Sequence, residues 1–503
     1  MTNAQARDLG GLRTKLFYGF GSVAYGVKDQ GFTTLLMLFY NQVVGMPAAW
    51  VGSAILVALV VDTMADPIVG QISDNLRSRW GRRHPFMYAA AIPVAISYWF
   101  LWNPPHWSNE ALFFYLLGMA IVVRTFITMY EIPSAAMAAE LTTDYDQRTS
   151  FMAYRYFFGW QGGLIMGILS YLVFFKPDAT HPVGQLNPQG YPTYALFAAL
   201  AMVVAILVSS IGTHRFIPYF SVPPQRRRTL WTTLKEMAET WSNVSFASLA
   251  GATLFSYVAQ GVLFALNIYF NTYLWHLNAT QIGLITLSLV IAPFLALAIA
   301  TPISRAFDKK WATIGLFVAS LAFYCAPLSL YLLGLLPTQP STFLIVSLSV
   351  LALIATTLSI ACGTLGGSMM TDVVEDSAVR TGRRSEGLFF AAVILVQKAV
   401  SGLGAFIAGA LLAFVNFPQN ASPATLDPAI AHNLALVYLP TVVVLFTLSI
   451  LCLTFYRIRR EDHDENIRRL AGEMANFEAA APVVPSAPAR VIGAETASAE
   501  AGE

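Results

Sequence analysis

Asp62 and Asp66 stand four residues apart inside an apolar run, Val51 to Val69, that is long enough to cross a lipid bilayer. On a helix that spacing puts both carboxylates on one face, about 6 Å apart along the axis. Two like charges so close repel, so either one is protonated or a cation sits between them. That is the chemistry of an ion-coupling site. A second stripe follows in another apolar run: Arg124, Thr128 and Glu131 fall at i, i+4 and i+7, placing a hydroxyl between a guanidinium and a carboxylate. Ionisable groups at bilayer depth cost about 2.5–3.5 kcal/mol each on insertion scales, so they are expected to pair and to face a cavity. Eight lie at such depth: the acids Asp29, Asp62, Asp66 and Glu131, and the bases Lys28, Arg124, Arg155 and Lys398. Equal numbers predict a cavity near electroneutrality. Arg124 either binds an acidic substrate or balances Glu131 on its own stripe, and the balancing role is the expected one.

The elements that must hold these groups are apolar helices. Of the 503 residues, 56% are hydrophobic and 12% charged, the latter about half the share of a soluble domain. A bilayer takes roughly 20 apolar residues per helix, and twelve such stretches are centred near Leu35, Leu56, Ile92, Val122, Ile168, Val204, Phe264, Leu289, Val318, Leu353, Ile407 and Leu445. Continuous apolar runs exclude a barrel, whose strands alternate, and an open sheet cannot satisfy its backbone in lipid. The expected fold is an all-α polytopic membrane protein. Cys325, Cys362 and Cys452 fall inside apolar stretches at spacings that suit neither a metal nor a disulfide framework. No Gly-x-x-x-x-Gly-Lys loop and no His-Glu-x-x-His motif occurs. An ATP-driven pump or a membrane metalloprotease is therefore not expected, nor is any enzyme or cofactor, and gradient-driven transport remains.

Twenty-five of the thirty lysines and arginines lie in the amino tail, the carboxyl tail and the alternate loops on the same side. Lys176 alone lies in an opposite loop. Basic residues stay cytoplasmic, so both termini are expected inside a cell (inner) membrane. Arg7, Arg13 and Lys15 precede a first helix too long for a signal peptide's core. The expected units are 1–212 and 247–457, six helices each, joined by a polar cytoplasmic linker, 213–246, with the basic run Arg226-Arg227-Arg228. Leu230 to Trp241 could form a short surface helix. The tail, 458–503, ends in an Ala/Pro/Glu-rich segment expected to be largely disordered. Asp74 with Arg77 to Arg83 is faintly echoed by Arg305, Asp308, Lys309 and Lys310, as in transporters built from parallel halves.

The segment Asp66-Pro67-Ile68-Val69-Gly70-Gln71-Ile72-Ser73-Asp74, with Ser78-Arg79-Trp80-Gly81-Arg82-Arg83 after it, resembles the loop between helices two and three of the glycoside–pentoside–hexuronide:cation symporters of the major facilitator superfamily. The resemblance extends almost to helix twelve. It implies twelve transmembrane helices in two pseudo-symmetric bundles of six, working by alternating access. Gly19-Phe20-Gly21 followed by Lys28-Asp29 resembles the sugar-binding helix, with Asp29 at the sugar-ligating acid. Asp62, Asp66 and Thr128 match cation-site positions. Glu131, in Tyr130-Glu131-Ile132-Pro133, matches a second sugar-ligating acid that is normally aspartate. Arg155, in Tyr154-Arg155-Tyr156, matches a basic sugar contact, and Lys398, in Gln397-Lys398-Ala399, the lysine near the cation site. Asp372 to Gly387 resembles the family's loop between helices ten and eleven.

Two positions depart from that pattern. Ala65 stands where the family often has asparagine, and a hard cation such as Na+ needs several oxygen ligands that alanine cannot supply. Coupling to H+ is therefore favoured over a Na+ at Asp62 and Asp66. Arg124 stands where the best-known member has no charge, and would suit a hexuronide. The expected substrate site is Lys28, Asp29, Arg124, Glu131 and Arg155; the cation site is Asp62, Asp66, Thr128 and Lys398. Tyr25, Tyr130, Tyr154, Trp160, Tyr257, Gln260 and Asn267 are weaker candidates for a sugar platform. The cytoplasmic gate is expected at Asp74, Arg79, Arg82, Arg83, Asp376 and Glu386, with the arginines answering Asp144, Asp376 or Glu386 when the cavity faces outward. The implied partners are a small sugar or sugar acid and the lipid bilayer, with no nucleic acid and no obligate protein. The alternatives are an amphipathic lipid-like or terpenoid substrate, or a non-transporting sensor on the same fold.

Overall fold

The computed structural model describes residues 11–142, 145–220, 241, 243–381, 386–458, 461 and 465. Asp144, the proposed linker helix with its arginine run, and most of the tail lie outside them, as does the Glu386 side chain. Among the described residues there are twelve long helices and no strand. The first, α1, is assembled from Leu12–Phe20 and Val23–Gln30 and continues through wider π turns at Gly31–Leu35 and Phe39–Val43. The rest of the first half is α2 (Ala48–Asn75), α3 (His84–Leu101), α4 (Asn109–Leu141), α5 (Tyr145–Leu169, prolonged by Ser170–Phe174) and α6 (Gly190–His214). The second half is α7 (Val244–Tyr269, prolonged by Phe270–Leu274), α8 (Ala279–Ser288 and Ala292–Ala306, joined by one 3₁₀ turn), α9 (Lys309–Leu332), α10 (Thr342–Thr381), α11 (Glu386–Phe414) and α12 (Pro428–Thr454). Each of the twelve apolar stretches has become one of these helices. Ten are long and apolar enough in one piece to cross a membrane. The other two are α1, which is broken near Gly21, and α3, which has 18 residues and opens on His84-Pro85.

Local chemistry sets the helix starts in the second half. Asn243 caps α7 by accepting from the Ser245 and Phe246 amides. Asn278 and Gln281 form a reciprocal capping box on α8. Asp308 caps α9, and Asp427 with Pro428 opens α12.

The packing repeats from one half to the other. In the first, α1 packs on α5 and α6, α2 on α4, and α3 on α4 and α6. In the second, α7 packs on α11 and α12, α8 on α10, and α9 on α10 and α12, which is the same pairing shifted by six helices. The halves meet through α2 on α11, α5 on α8 and α1 on α7, again a self-consistent set under that exchange. Glycines allow the closest crossings. A Cβ at Gly26 of α1 would come within 1.9 Å of the Gly159 carbonyl oxygen on α5, and one at Gly404 of α11 within 2.5 Å of Gly261 Cα on α7. These crossings lie in corresponding helix pairs, packed as small residues pack membrane helices, where dispersion between backbones replaces the hydrophobic effect.

The end of the bundle away from the termini is sealed by buried polar groups. Tyr269 Oη donates to Asn41 Oδ1 at 2.9 Å and Tyr273 Oη to Gln42 Oε1 at 3.0 Å, joining α7 to α1. Gln42 also takes the Ala421 amide at 2.9 Å and donates to the Pro418 carbonyl at 3.0 Å, while Gln185 before α6 donates to Thr272 at 3.1 Å and to the Leu277 carbonyl at 2.9 Å. At the arginine-rich end, Arg82 and Arg83 both pair with Glu140 on α4, and Arg83 also lies 3.3 Å from Asp74. Lys309 pairs with Asp372 at 2.8 Å within the second half. Arg79 is exposed, and Asp376 is buried on α10.

Candidate functional site

Because α2 packs on both α4 and α11, the acids of α2 meet the polar stripe of α4 on one side and the lysine of α11 on the other. Thr128 is fully buried, with Oγ1 2.9 Å from Asp62 Oδ1 and 3.1 Å from Asp66 Oδ1. Its single hydrogen can serve one of them at a time. Arg124 Nη1 donates to Asp62 Oδ2 at 2.9 Å, and its guanidinium lies over the Phe32 ring at 4.9 Å. Lys398 Nζ stands 2.8 Å from Asp66 Oδ2 and 3.5 Å from Glu131 Oε2. The result is one chain of charges, Arg124–Asp62–Thr128–Asp66–Lys398–Glu131, that joins α2 and α4 of the first half to α11 of the second. Its carboxylates Asp66 and Glu131 share Lys398, and Arg155 and Lys28 also lie within electrostatic reach of Glu131.

The expectation that Arg124 balances Glu131 is corrected. Its partner is Asp62 on the neighbouring helix. Glu131 lies seven residues further along the stripe, almost two turns away, where Lys398 reaches it instead. Nor do Asp62 and Asp66 lie bare against each other, because each has its own fixed cation. Three side chains bring oxygens together at this point: Asp62, Asp66 and Thr128. No group of three or more His, Cys, Asp and Glu able to hold a metal occurs among the described residues.

The groups assigned to substrate divide by exposure. Lys28 is buried and pairs with Asp29, whose side chain is 48% exposed and is the most accessible of the intramembrane acids. Glu131 is partly open at 21%. Arg155 is buried. It donates to Ser134 Oγ at 2.9 Å and to the Glu131 carbonyl at 3.3 Å, and lies 5.7 Å over the Tyr25 ring. It thereby ties α5 to α4 behind the Glu131 carboxylate. Tyr257 and Trp160 are exposed enough to serve as platforms, whereas Tyr130 is completely buried and belongs to the core. Asn267 accepts from Asn271 within α7 at 2.8 Å. The three cysteines are free, with Cys325 and Cys362 buried.

Sequence reasoning missed several residues. Glu140, the common acceptor of Arg82 and Arg83, sits at a helix end among alanines, where its spacing carries no signal. Ser134 and Phe32, which hold Arg155 and Arg124, are ordinary helix residues in a sequence. The Asn41–Gln42 pair is adjacent in sequence at the end of an apolar run, and two uncharged amides at that depth were a signal available to find.

Comparison with known proteins places the chain in a family. Residues 17–460 match the model of the family described as MFS/sugar transport protein. The inner membrane symporter YicJ of Escherichia coli is 24% identical, over 80% of this chain and 83% of its own. The isoprimeverose transporter of Lactiplantibacillus pentosus is 23% identical, over 88% of each. The mouse sphingosine-1-phosphate transporter MFSD2B is 27% identical, over 87% of this chain and 88% of its own. Among solved structures, a bacterial homologue of the lysosomal transporter Spinster, inward-facing and unoccupied, superposes with a TM-score of 0.59 at 14% identity, covering 91% of this chain and 97% of that one. The inward-open xylose transporter XylE of E. coli gives 0.55 at 12%, covering 86% and 95%. The chain belongs to the MFS/sugar transport protein family, the glycoside–pentoside–hexuronide:cation symporters of the major facilitator superfamily, and is a multi-pass membrane transporter.

Proposed function

We propose that this protein is a secondary active symporter that couples inward cation flow, H+ rather than Na+, to uptake of a glycoside, pentoside or hexuronide across the inner membrane, with both termini cytoplasmic. The observation that carries this reading is the charge chain between the halves, in which Asp66 and Glu131 of the first half share Lys398 of the second. Such a network can take up a proton by loosening its hold on Lys398, and it spans the α2–α11 contact that must shift when the halves rock. Proton entry at Asp66 or Glu131 competes with Lys398 for those carboxylates. A bound cation therefore changes how firmly α11 is held to the first half. Coupling between cation and substrate is reciprocal by thermodynamic necessity. Asp29 and Glu131, the open acids, accept from substrate hydroxyls, and charge-assisted hydrogen bonds of that kind are about twice as strong as neutral ones. Arg155 holds the helix that presents Glu131.

In this reading the two units, 1–212 and 247–457, rock about the α2–α11 and α5–α8 contacts, joined by 213–246. The Asn41–Gln42 seal closes the periplasmic side, and Arg82 and Arg83 exchange Glu140 for partners of the other half when the cytoplasmic side closes. The relation to a sphingosine-1-phosphate transporter supports a second reading, the same machine carrying an amphipathic lipid. Uptake into vesicles of labelled glycosides, uronides and single-chain lipids, with imposed pH or sodium gradients, decides between them. Accumulation of a sugar driven by the pH gradient is expected. Flux of lipid alone supports the second reading, and no flux of any solute supports neither.

A further inference from the structure

We propose that the Arg124 guanidinium is a tethered cation set against the alkali-cation seat of this chain, so that it repels sodium from that seat and sets the ion selectivity. The inference rests on the reading of α2 and α4 as the coupling site. Asp62 Oδ1, Asp66 Oδ1 and Thr128 Oγ1 converge, with the hydroxyl 2.9 and 3.1 Å from the two carboxylates. Charged and neutral hard oxygens gathered on one point are what an alkali cation requires. Arg124, one helical turn from Thr128 on the same stripe, delivers its positive charge into that cluster through Asp62 Oδ2.

Three features separate this from an ordinary salt bridge. The guanidinium and its acid are both almost fully buried, at 6% and 4% exposure, so no water screens the charge. Arg124 Nε is buried without a hydrogen-bond partner. The side chain is thus held by one carboxylate and by the Phe32 face rather than by a complete donor shell, and its removal leaves one acceptor to be satisfied. Finally, guanidinium stays ionised at any physiological pH, so its repulsion is never removed by titration. A sodium ion arriving ~4 Å from that charge would meet repulsion worth on the order of a hundredfold or more in affinity. Proton transfer to Asp66 or Glu131 avoids that cost, because a proton needs no oxygen cage and is taken up at the Lys398 side of the network.

The test is sodium binding to the purified full-length protein, needing no substrate. Sodium-dependent thermal stabilisation and equilibrium binding of radioactive sodium are measured at constant ionic strength, with choline as the replacement, for the native chain, Arg124→Ser, Arg124→Lys and Arg124→Ser with Asp62→Asn. The native chain and Arg124→Lys are expected to show no saturable response. Arg124→Ser is expected to gain a saturable one in the millimolar range, at least about tenfold tighter than any native binding. The double variant should lose it. Recovery of Arg124→Ser only when purified in sodium also supports the proposal. Saturable sodium binding by the native chain overturns it. So does a folded Arg124→Ser that ignores sodium, a response that survives Asp62→Asn, or an Arg124→Ser that cannot be recovered even in sodium. Solute uptake, measured separately, bears on the transport reading: sodium-stimulated sugar uptake by the native chain would sink this inference and leave symport standing.

Discussion

Lys398 on α11 and Asp66 on α2 form a 2.8 Å ion pair across the boundary between the two halves. The same ammonium lies 3.5 Å from Glu131 on α4. One ammonium of the second half is therefore shared by two carboxylates of the first. Breaking a buried pair from one side typically costs about 3–5 kcal/mol, because the remaining charge is stranded. Lys398→Met is accordingly expected to abolish accumulation against a gradient and to lower the amount of folded protein. Adding Asp66→Asn should restore the protein level without restoring accumulation. Expression and gradient-driven uptake of the single and double variants check this. A double variant no better folded than Lys398→Met would show that the pair is not the source of the loss.

Asp66→Asn alone probes coupling more gently, since the amide still accepts from Thr128. It is expected to reduce concentrative uptake by at least about tenfold, a change of 1.4 kcal/mol or more in the coupled step. Exchange of labelled for unlabelled solute across the membrane should persist. Vesicles loaded with unlabelled substrate separate the two processes, and undiminished accumulation would remove Asp66 from the coupling site.

The twelve helices and the intramembrane acids were legible in the sequence because lipid imposes a strict rule: long apolar runs must be helices, and charges within them must be paired. Asp62, Asp66, Thr128 and Lys398 do converge. Spacing along one helix misled where the partner lay on another. Arg124 and Glu131 share a stripe, yet the α2–α4 crossing brings Asp62 to the guanidinium first, and no single-helix periodicity encodes that crossing. Arg155 shows the same limit from the other side. Its charge was evident, but the Ser134 and Glu131 carbonyl contacts that turn it toward α4 arise from packing. The seal at Asn41 and Gln42 was legible only as two adjacent amides at bilayer depth, and its partners on α7 and after α11 come from packing.

Asp29 is the most accessible of the intramembrane acids, and its neighbour Lys28 is buried against it. Asp29→Asn keeps the shape and removes the charge. The apparent dissociation constant for the best substrate is expected to rise at least about tenfold, since hydrogen bonds to charged groups contribute roughly 1.5–3 kcal/mol each. Lys28 loses its partner in the same change, so Lys28→Met with Asp29→Asn serves as the control. Binding recovered by the double variant would place the loss in a stranded ammonium rather than in substrate contact. Normal binding by Asp29→Asn would remove it from the substrate site.

The α1–α7 seal offers a prediction that depends on neither substrate nor ion. Gln42 uses both ends of its amide: Oε1 accepts from Tyr273 Oη at 3.0 Å and from the Ala421 amide at 2.9 Å, and Nε2 donates to the Pro418 carbonyl at 3.0 Å. Gln42→Ala strands all of these groups in a buried interface, and each unsatisfied group costs about 1–3 kcal/mol. Those groups find water when the seal opens, so the cost falls on the sealed state alone. The population should therefore move toward the opposite-facing form, by about tenfold for each 1.4 kcal/mol. Tyr273→Phe removes one donor and should shift it less. A cysteine introduced at Thr272, buried beside Gln185 in the seal, reports the opening through its labelling rate by a membrane-impermeant maleimide. Buried Cys325 and Cys362 keep the background low. The labelling rate is expected to rise in the order native, Tyr273→Phe, Gln42→Ala. Equal rates in all three would mean that the seal is held by helix packing, with the amide network contributing nothing to the choice of state.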